Sequence, residues 1–389
     1  MKHYLLLILA VLGMQPPCLV AGGPSGPLRY VPADSVVGFA PGADNFLQTA
    51  MVVESDVRPR AIPVVEEGKR RLGRMRRTWD AQVTPRLGIT GSTAAPRLPV
   101  REEEVYAAVD ILDQAARLWQ LTGEAGYMDA VERLAYNTLS AAVIGGGEAF
   151  ARRVAARALA GATGVMAATG DDCIYLNLYA NCLVRVDADS MCVSLDVQTL
   201  YPYSGRVKVR LGGMPQGRHR WTLKLRIPEW SWSERPVVGC YSMMGRAARL
   251  FTCYRNGHDM EQRVERGYWL VTADWGNGDE VYFDLPETPV WLRACGTDGR
   301  PVRDGVALQV GPLVYAAEPA LPPGRYLATE APLGLADAEG IDGQSLLQGK
   351  AYTFGPPADA ETASFPQLFV PYREATEGAG LWSAEQSDQ

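Results

Sequence analysis

The spacing of apolar residues changes once along this chain, at Gly170-Asp171-Asp172, and that change limits what the chain can fold into. Before it, apolar residues recur every three to four positions, the period of an amphipathic helix. After it they alternate, the period of a half-buried strand, up to about Glu318. Such a chain is predicted to be an α+β multidomain protein, with a helical region followed by antiparallel β-sandwich.

The clearest helix is marked by Val105, Val109, Leu112, Ala116 and Trp119, at steps of four, three, four and three, and Gly123 stops it. Another is predicted from near Gly126, with Val131, Leu134 and Thr138 on one face and Gly145-Gly146-Gly147 at its end. An alanine-rich helix is expected over 148–168, with Phe150, Val154, Leu159 and Ala162 turned inward. Leu72, Met75 and Trp79 predict an earlier helix within 64–83. Short links between these helices suggest a hairpin array. In the second half, 174–179, 200–205, 207–211 and 223–230 read as strands, with others around Met191, Tyr268, Val281 and Val306. The expected division is a signal peptide at 1–23, a lead-in at 24–60, helices at 61–170, the sandwich at 171–318 and an extended segment at 319–389 with one strand at 367–372.

Lys2 and His3 precede a short apolar run at 4–12, and Val20-Ala21-Gly22 offers small residues for cleavage. This predicts export, so a secreted or periplasmic location. No later segment is long and apolar enough to span a membrane. Net charge is -6, and basic residues cluster only at 69–77, which reads as a solvated helix face and argues against nucleic acid. Apart from Cys18, the cysteines (Cys173, Cys182, Cys192, Cys240, Cys253 and Cys295) all fall in the β-rich half. An oxidising compartment predicts one or more disulfides among them, with the pairing open. No CxxC or adjacent pair points to a cysteine-rich zinc site.

The string Tyr127-x-Asp129-x-x-Glu132-Arg133-x-x-Tyr136-Asn137, followed by Asp171-Asp172-x-Ile174-Tyr175-x-Asn177-Leu178-Tyr179, resembles glycoside hydrolase family 127. The founding members of that family are β-L-arabinofuranosidases. The likeness continues through Tyr201-Pro202-x-x-Gly205, Leu225-Arg226-Ile227-Pro228-x-Trp230, Trp275-x-x-Gly278-Asp279 and Gly311-Pro312-Leu313-Val314-Tyr315-x-x-Glu318. Gly88-Ile89-Thr90-Gly91-Ser92 also resembles a family turn, and the whole covers about 64–382. The resemblance implies an (α/α)6 barrel that holds the active site, backed by β-sandwich domains. Only the last part of such a barrel is expected here, in a truncated and diverged relative. The family's sugar-binding histidines have no counterpart, since His219 and His258 lie in the β region.

The resemblance also implies a cysteine thiolate held on zinc as nucleophile, with three cysteines and a glutamate as ligands, and a glutamate as general acid. The family's adjacent Cys-Cys falls on Phe150-Ala151, and its Glu-x-Cys on Ala108-Val109-Asp110. The acid falls in a segment replaced by the short loop 93–99. Catalytic residues are therefore left unassigned, no metal ligand is matched, and no cofactor is expected.

Glu102, Glu103, Glu104, Asp110 and Glu148 are carboxylates near the expected site. Glu102 to Glu104 read as a favourable acidic helix start, Asp110 as solvated, and Glu148 as a first-turn acid. Asp129 and Glu132 read as helix-surface or inter-helix ion pairs. Among the aromatics Trp230, Trp232, Trp269, Trp275, Trp291 and Tyr203, Trp230 and Trp275 read as buried framework, which leaves Trp232 as the candidate for stacking on a sugar. Three classes follow: a glycosidase using other carboxylates, a non-catalytic carbohydrate-binding protein for plant-type glycans, and a structural protein. An incomplete barrel would expose Val105, Val109, Leu112 and Trp119, so a dimer or partner subunit covering them is expected.

Overall fold

The computed structural model describes residues 28–30, 36–37, 69–93, 98–145, 147–188, 191–232, 241–244, 252–295, 300–322, 325–327, 329, 333–335, 347–353, 364–377 and 379–380. The expected signal peptide lies outside the described residues, as do most of the lead-in and the end of the chain.

After two short strands, Arg29–Tyr30 and Val36–Val37, come five α-helical segments. Helix α1 (Lys69–Thr78) runs on through a wide-pitch stretch, Trp79–Val83, and a 3-10 turn, Thr84–Arg86. Helix α2 (Glu102–Thr122) starts with three acidic residues, which suit the positive end of its dipole, and stops at Gly123, whose φ of 65° lies in the left-handed region that favours glycine. Helix α3 (Ala125–Arg133) continues through a wide-pitch stretch, Leu134–Leu139, into α4 (Ser140–Ile144). Helix α5 spans Ala149–Ala162.

The alanine-rich helix is shorter than its composition predicts. It tightens into a 3-10 turn at Thr163–Val165, and Ala167–Gly170 is already a strand. Phe150, expected to face inward, is 51% exposed. Alanine is compatible with either state, so its abundance could not locate the boundary.

The strands make three sheets, almost wholly antiparallel. The first has six strands in the order Arg29–Tyr30, Ala167–Gly170, Cys173–Leu176, His219–Arg226, Tyr268–Trp275, Val264–Glu265. Its pairings are antiparallel except that Cys173–Leu176 runs parallel to His219–Arg226. The second, of seven strands, centres on Glu280–Asp284, Arg206–Gly212 and Met191–Thr199. These two share a core, where Trp269 of the first meets Phe283 of the second edge to face. The third contains Val290–Cys295, Pro301–Val310, Leu313–Glu318 and Ser364–Pro371. The C-terminal segment holds the strand expected near 367–372, as Ser364–Pro371, and adds Leu347–Thr353 beside it in the same sheet.

Residues 200–205 form a turn, not a strand. Thr199 and Tyr203 bond locally there, and Gly205 lies so close to the Leu285 carbonyl that a Cβ would sit 2.0 Å from its oxygen. The expected turn at 275–279 is present. Asp279 accepts from the Gly276 amide, Asn256 and Arg255 there, and these bonds outweigh burial to hold its carboxyl below the usual range.

The apolar helix faces are not left bare. Val105, Val109, Leu112 and Trp119 are 1%, 8%, 1% and 0% exposed. Trp119 donates to the Tyr268 hydroxyl at 2.6 Å and packs edge-on against Tyr175, so the first sheet covers this ring, and the neighbouring helices pack along the rest of α2. Disulfides were also expected. Cys173, Cys182, Cys192, Cys253 and Cys295 are all free thiols, and Cys240 lies outside the described residues. Four of the five are buried on separate strands, where burial alone stabilises a small thiol. Among the described residues, no helix is long and apolar enough to cross a membrane.

Candidate functional site

The densest chemistry in the molecule lies where α3 meets the sheets. One turn of α3 carries Asp129, Glu132 and Arg133, all 5% exposed or less, on a helix that is otherwise apolar. Buried charges survive only when paired and hydrogen-bonded. Arg226, at the end of its strand, reaches Asp129 Oδ1 at 2.5 Å and also pairs with Glu132, and its Nε donates to the Asn177 carbonyl. Glu132 takes further hydrogen bonds from the Tyr201 hydroxyl at 2.5 Å and from Trp230 Nε1 at 3.1 Å. Arg133 pairs with Glu229 and donates to the Ile89 carbonyl at 2.9 Å and to Gln309 at 3.2 Å.

Burial pushes the Glu132 carboxyl up from its usual range, with Arg226 and the Tyr201 hydroxyl opposing it. For Arg226, burial acts against the charge, but Glu132 and Asp129 outweigh it and keep the guanidinium firmly protonated. Tyr201 and Tyr241 are driven upward by burial, so both stay neutral donors.

Most of the motifs that carried the family resemblance converge here, while Trp275 to Asp279 lies apart, where Trp275 donates to the Trp221 carbonyl at 3.0 Å. Asn137 donates to the Pro312 carbonyl at 3.0 Å and accepts from the Val314 amide at 2.8 Å, which locks the Gly311-Pro312 turn onto the helix. Tyr136 donates to the Tyr179 carbonyl at 3.1 Å. Thr138 donates to the Thr90 carbonyl at 2.9 Å. Gly91 in that same turn presses against Leu134 so closely that a Cβ would lie 2.7 Å from its amide nitrogen, at a φ of 92°. The cleft lined by Asp129, Glu132, Arg133, Glu229, Trp230, Gln309 and Pro312 has no room for even a water molecule. This is a closed seam that joins helices to sheets, with each charge answered from the opposite side.

Asp129 and Glu132 are therefore structural ion pairs, as expected, but they are buried, and their partner is a strand arginine. Two acids and an arginine at positions i, i+3 and i+4 of an apolar helix were the available signal. Arg226, Glu229, Tyr201 and Tyr241 were missed as members because they come from distant segments.

The other expected residues do not gather. Glu103 and Asp110 are exposed on α2, and Asp110 accepts from Gln114 at 2.8 Å. Glu104 lies in the acidic first turn of α2, as expected, and is 2% exposed. Glu148 is exposed and stands just before α5, outside the first turn where it was expected, with no side-chain bond to the helix start. Trp230 and Trp275 are buried framework, at 5% and 0% exposure, and Trp269 is buried as well. Trp232 and Trp291 are half-buried against the core. Tyr203 is held by Arg373 and Glu374. His219 contacts the Pro215 carbonyl at 3.2 Å, and His258 lies exposed in a hairpin.

The residues matched to the zinc ligands do not suit the ion. Ala108 and Ala151 offer no donor, Phe150 offers an aromatic ring, and Asp110 is a lone exposed carboxylate. Among the described residues, no group of three or more His, Cys, Asp or Glu side chains could hold a metal ion.

The fold, a helical layer set on antiparallel sheets, is similar to that of solved glycoside hydrolases. Residues 173–287 match the family model described as beta-L-arabinofuranosidase, GH127 middle domain. A GH127 β-arabinofuranosidase is similar at 23% identity, with a TM-score of 0.68, over 79% of this chain and 55% of that one. A GH127 β-L-arabinofuranosidase from Geobacillus stearothermophilus T6 is similar at 21% identity, with a TM-score of 0.65, over 79% and 56%. A structure described as a glycoside hydrolase gives 19% and 0.64, over 79% and 61%. No curated protein matches this chain. The resemblance to glycoside hydrolase family 127 therefore holds in motif, domain model and fold. The chain spans between 55% and 61% of the length of these structures.

Proposed function

We propose that this chain is an exported relative of glycosidases that act on arabinofuranosyl-type glycans, and that it does not use the family's zinc-thiolate chemistry. Its helices correspond, on this reading, to part of an (α/α)6 barrel. The observation that carries the proposal is the residue set at the ligand positions: Ala108, Asp110, Phe150 and Ala151 supply neither a thiolate nor a closed donor set. The buried carboxylates do not replace them. Asp129, Glu132 and Glu229 are engaged by Arg226 and Arg133 in a seam that no sugar can enter.

Metal analysis of the purified full chain tests this. Less than a tenth of an equivalent of zinc is expected, and stoichiometric zinc bound through cysteine would overturn it.

A second reading, non-catalytic glycan binding, is favoured by Trp232. It keeps part of its ring accessible while Trp230, two residues earlier, is buried. Trp232→Ala should weaken retention of the protein on arabinan if that surface carries the contact.

A further inference from the structure

We propose that helix α1 is a docking surface for an anionic lipid bilayer, which it meets through the outward row Arg71, Arg74 and Arg77. This stands apart from the glycosidase reading, because α1 carries none of the positions matched to the zinc site. The chain as a whole is negative, at -6. Six of the ten residues of α1 are nevertheless basic (Lys69, Arg70, Arg71, Arg74, Arg76 and Arg77), and none is acidic. Glu66 and Glu67 precede the helix, outside the described residues, and Asp80 follows it. Even so, 66–80 holds six basic residues against three acidic ones. Like charges three and four residues apart on a helix repel one another, so such a row is favoured only where an anion answers it.

The packing of α1 decides which way these charges face. Leu72 and Met75 pack against the core, and Trp79, 4% exposed, meets Tyr127 edge to face. The apolar side of the helix is therefore spent on the protein itself. Arg76 is answered by Glu124, just before α3. Arg71, Arg74 and Arg77 are exposed, and among the described residues no carboxylate pairs with them. At steps of three they form a row about 9 Å long. Arg77 lies back along the helix, with Nη1 3.7 Å from where a Gly73 Cβ would stand, so its charge gathers with that of Arg74.

This face fits a surface better than a chain. Nucleic acids and sugars are held on aromatic rings or in concave grooves. Over 71–86 no aromatic side chain is exposed, and the side of a single helix is convex. A plane of lipid phosphates meets such a helix along its length, and guanidinium forks match phosphate oxygens. With its apolar side turned into the core, α1 cannot sink into the bilayer. Attachment is then peripheral, electrostatic and weakened by salt.

The test is co-sedimentation of the full chain with vesicles of phosphatidylglycerol and phosphatidylcholine at about one to three, and with pure phosphatidylcholine. Binding to the anionic vesicles alone is expected, and it should vanish as salt rises from about 0.1 M to about 1 M. The combined change Arg71→Gln, Arg74→Gln and Arg77→Gln should weaken it about a hundredfold, with the melting temperature unmoved. Lysine at the same three positions should keep it, since the charge is kept. Arg153→Gln, Arg157→Gln and Arg185→Gln, on exposed arginines of α5 and the second sheet, remove equal charge elsewhere and should weaken it less than about threefold. Equal loss in the two glutamine sets, or no binding to the anionic vesicles, would overturn the proposal. Tighter retention by polygalacturonate or duplex DNA than by the vesicles would assign the row to a soluble polyanion and overturn the bilayer.

Discussion

The seam at α3 and the exposed starts of α2 and α5 are built on opposite principles. At the seam, five charged side chains (Asp129, Glu132, Arg133, Arg226 and Glu229) are buried, with each carboxylate paired to one of the two arginines. At those starts, Tyr106 and Phe150 stand in solvent, with carboxylates and arginines beside them in sequence. Most residues that match the family motifs sit at the seam, while Phe150 and Asp110, at two of the positions matched to zinc ligands, stand exposed. Shared motifs therefore report how the architecture is held together, and they carry no information about whether chemistry persists.

The largest effect expected from breaking this contrast is at Arg226. Arg226→Met leaves Asp129 and Glu132 buried without their cation, which should cost about 3–5 kcal/mol in urea unfolding. A loss below about 1 kcal/mol would mean that the seam is not the structural clamp described. Asn137→Ala comes next. It strands the Pro312 carbonyl and the Val314 amide inside the protein, at about 1–3 kcal/mol.

A smaller effect sharpens the comparison through pH. Glu287 is half-buried, and burial, then Asp284, push its carboxyl up to about 7, against the opposing pull of Arg206. The folded chain then holds this proton more tightly than the unfolded one. Its contribution is fully present below the unfolded value of about 4.5 and is lost as pH rises through about 7. Glu287→Gln should flatten stability across that window by on the order of 1 kcal/mol, given solvent screening. An unchanged slope would show that Glu287 titrates normally. The smallest effect belongs to Phe150→Ser, expected to move unfolding by no more than about 0.5 kcal/mol because the ring is exposed. A loss comparable to that at Asn137 would erase the contrast between the two regions.

How much of this was legible beforehand depended on range. Helix α2 was readable because its apolar steps and its Gly123 stop are local signals. The strands around Met191, Val207, Val281 and Val306 were readable through alternation. The end of the alanine-rich helix was not, since alanine marks no face, and Phe150 imitated a core residue by type alone. Leu200-Tyr201-Pro202-Tyr203 alternated like a strand, while Gly205 and the Leu285 backbone impose a turn. At the site, the charges on α3 were visible as anomalies, but Arg226 and Glu229 reach them from 94 and 96 residues away, a pairing set by sheet order. The covering of Trp119 by Tyr268 is likewise long-range, which is why an exposed barrel face was expected and not found.

The most direct test of the central claim is arabinose release from β-L-arabinofuranosyl substrates by the full chain, with zinc supplied and a heat-inactivated control alongside. The account predicts no release above that control. Release that requires zinc and is abolished by thiol alkylation would contradict it.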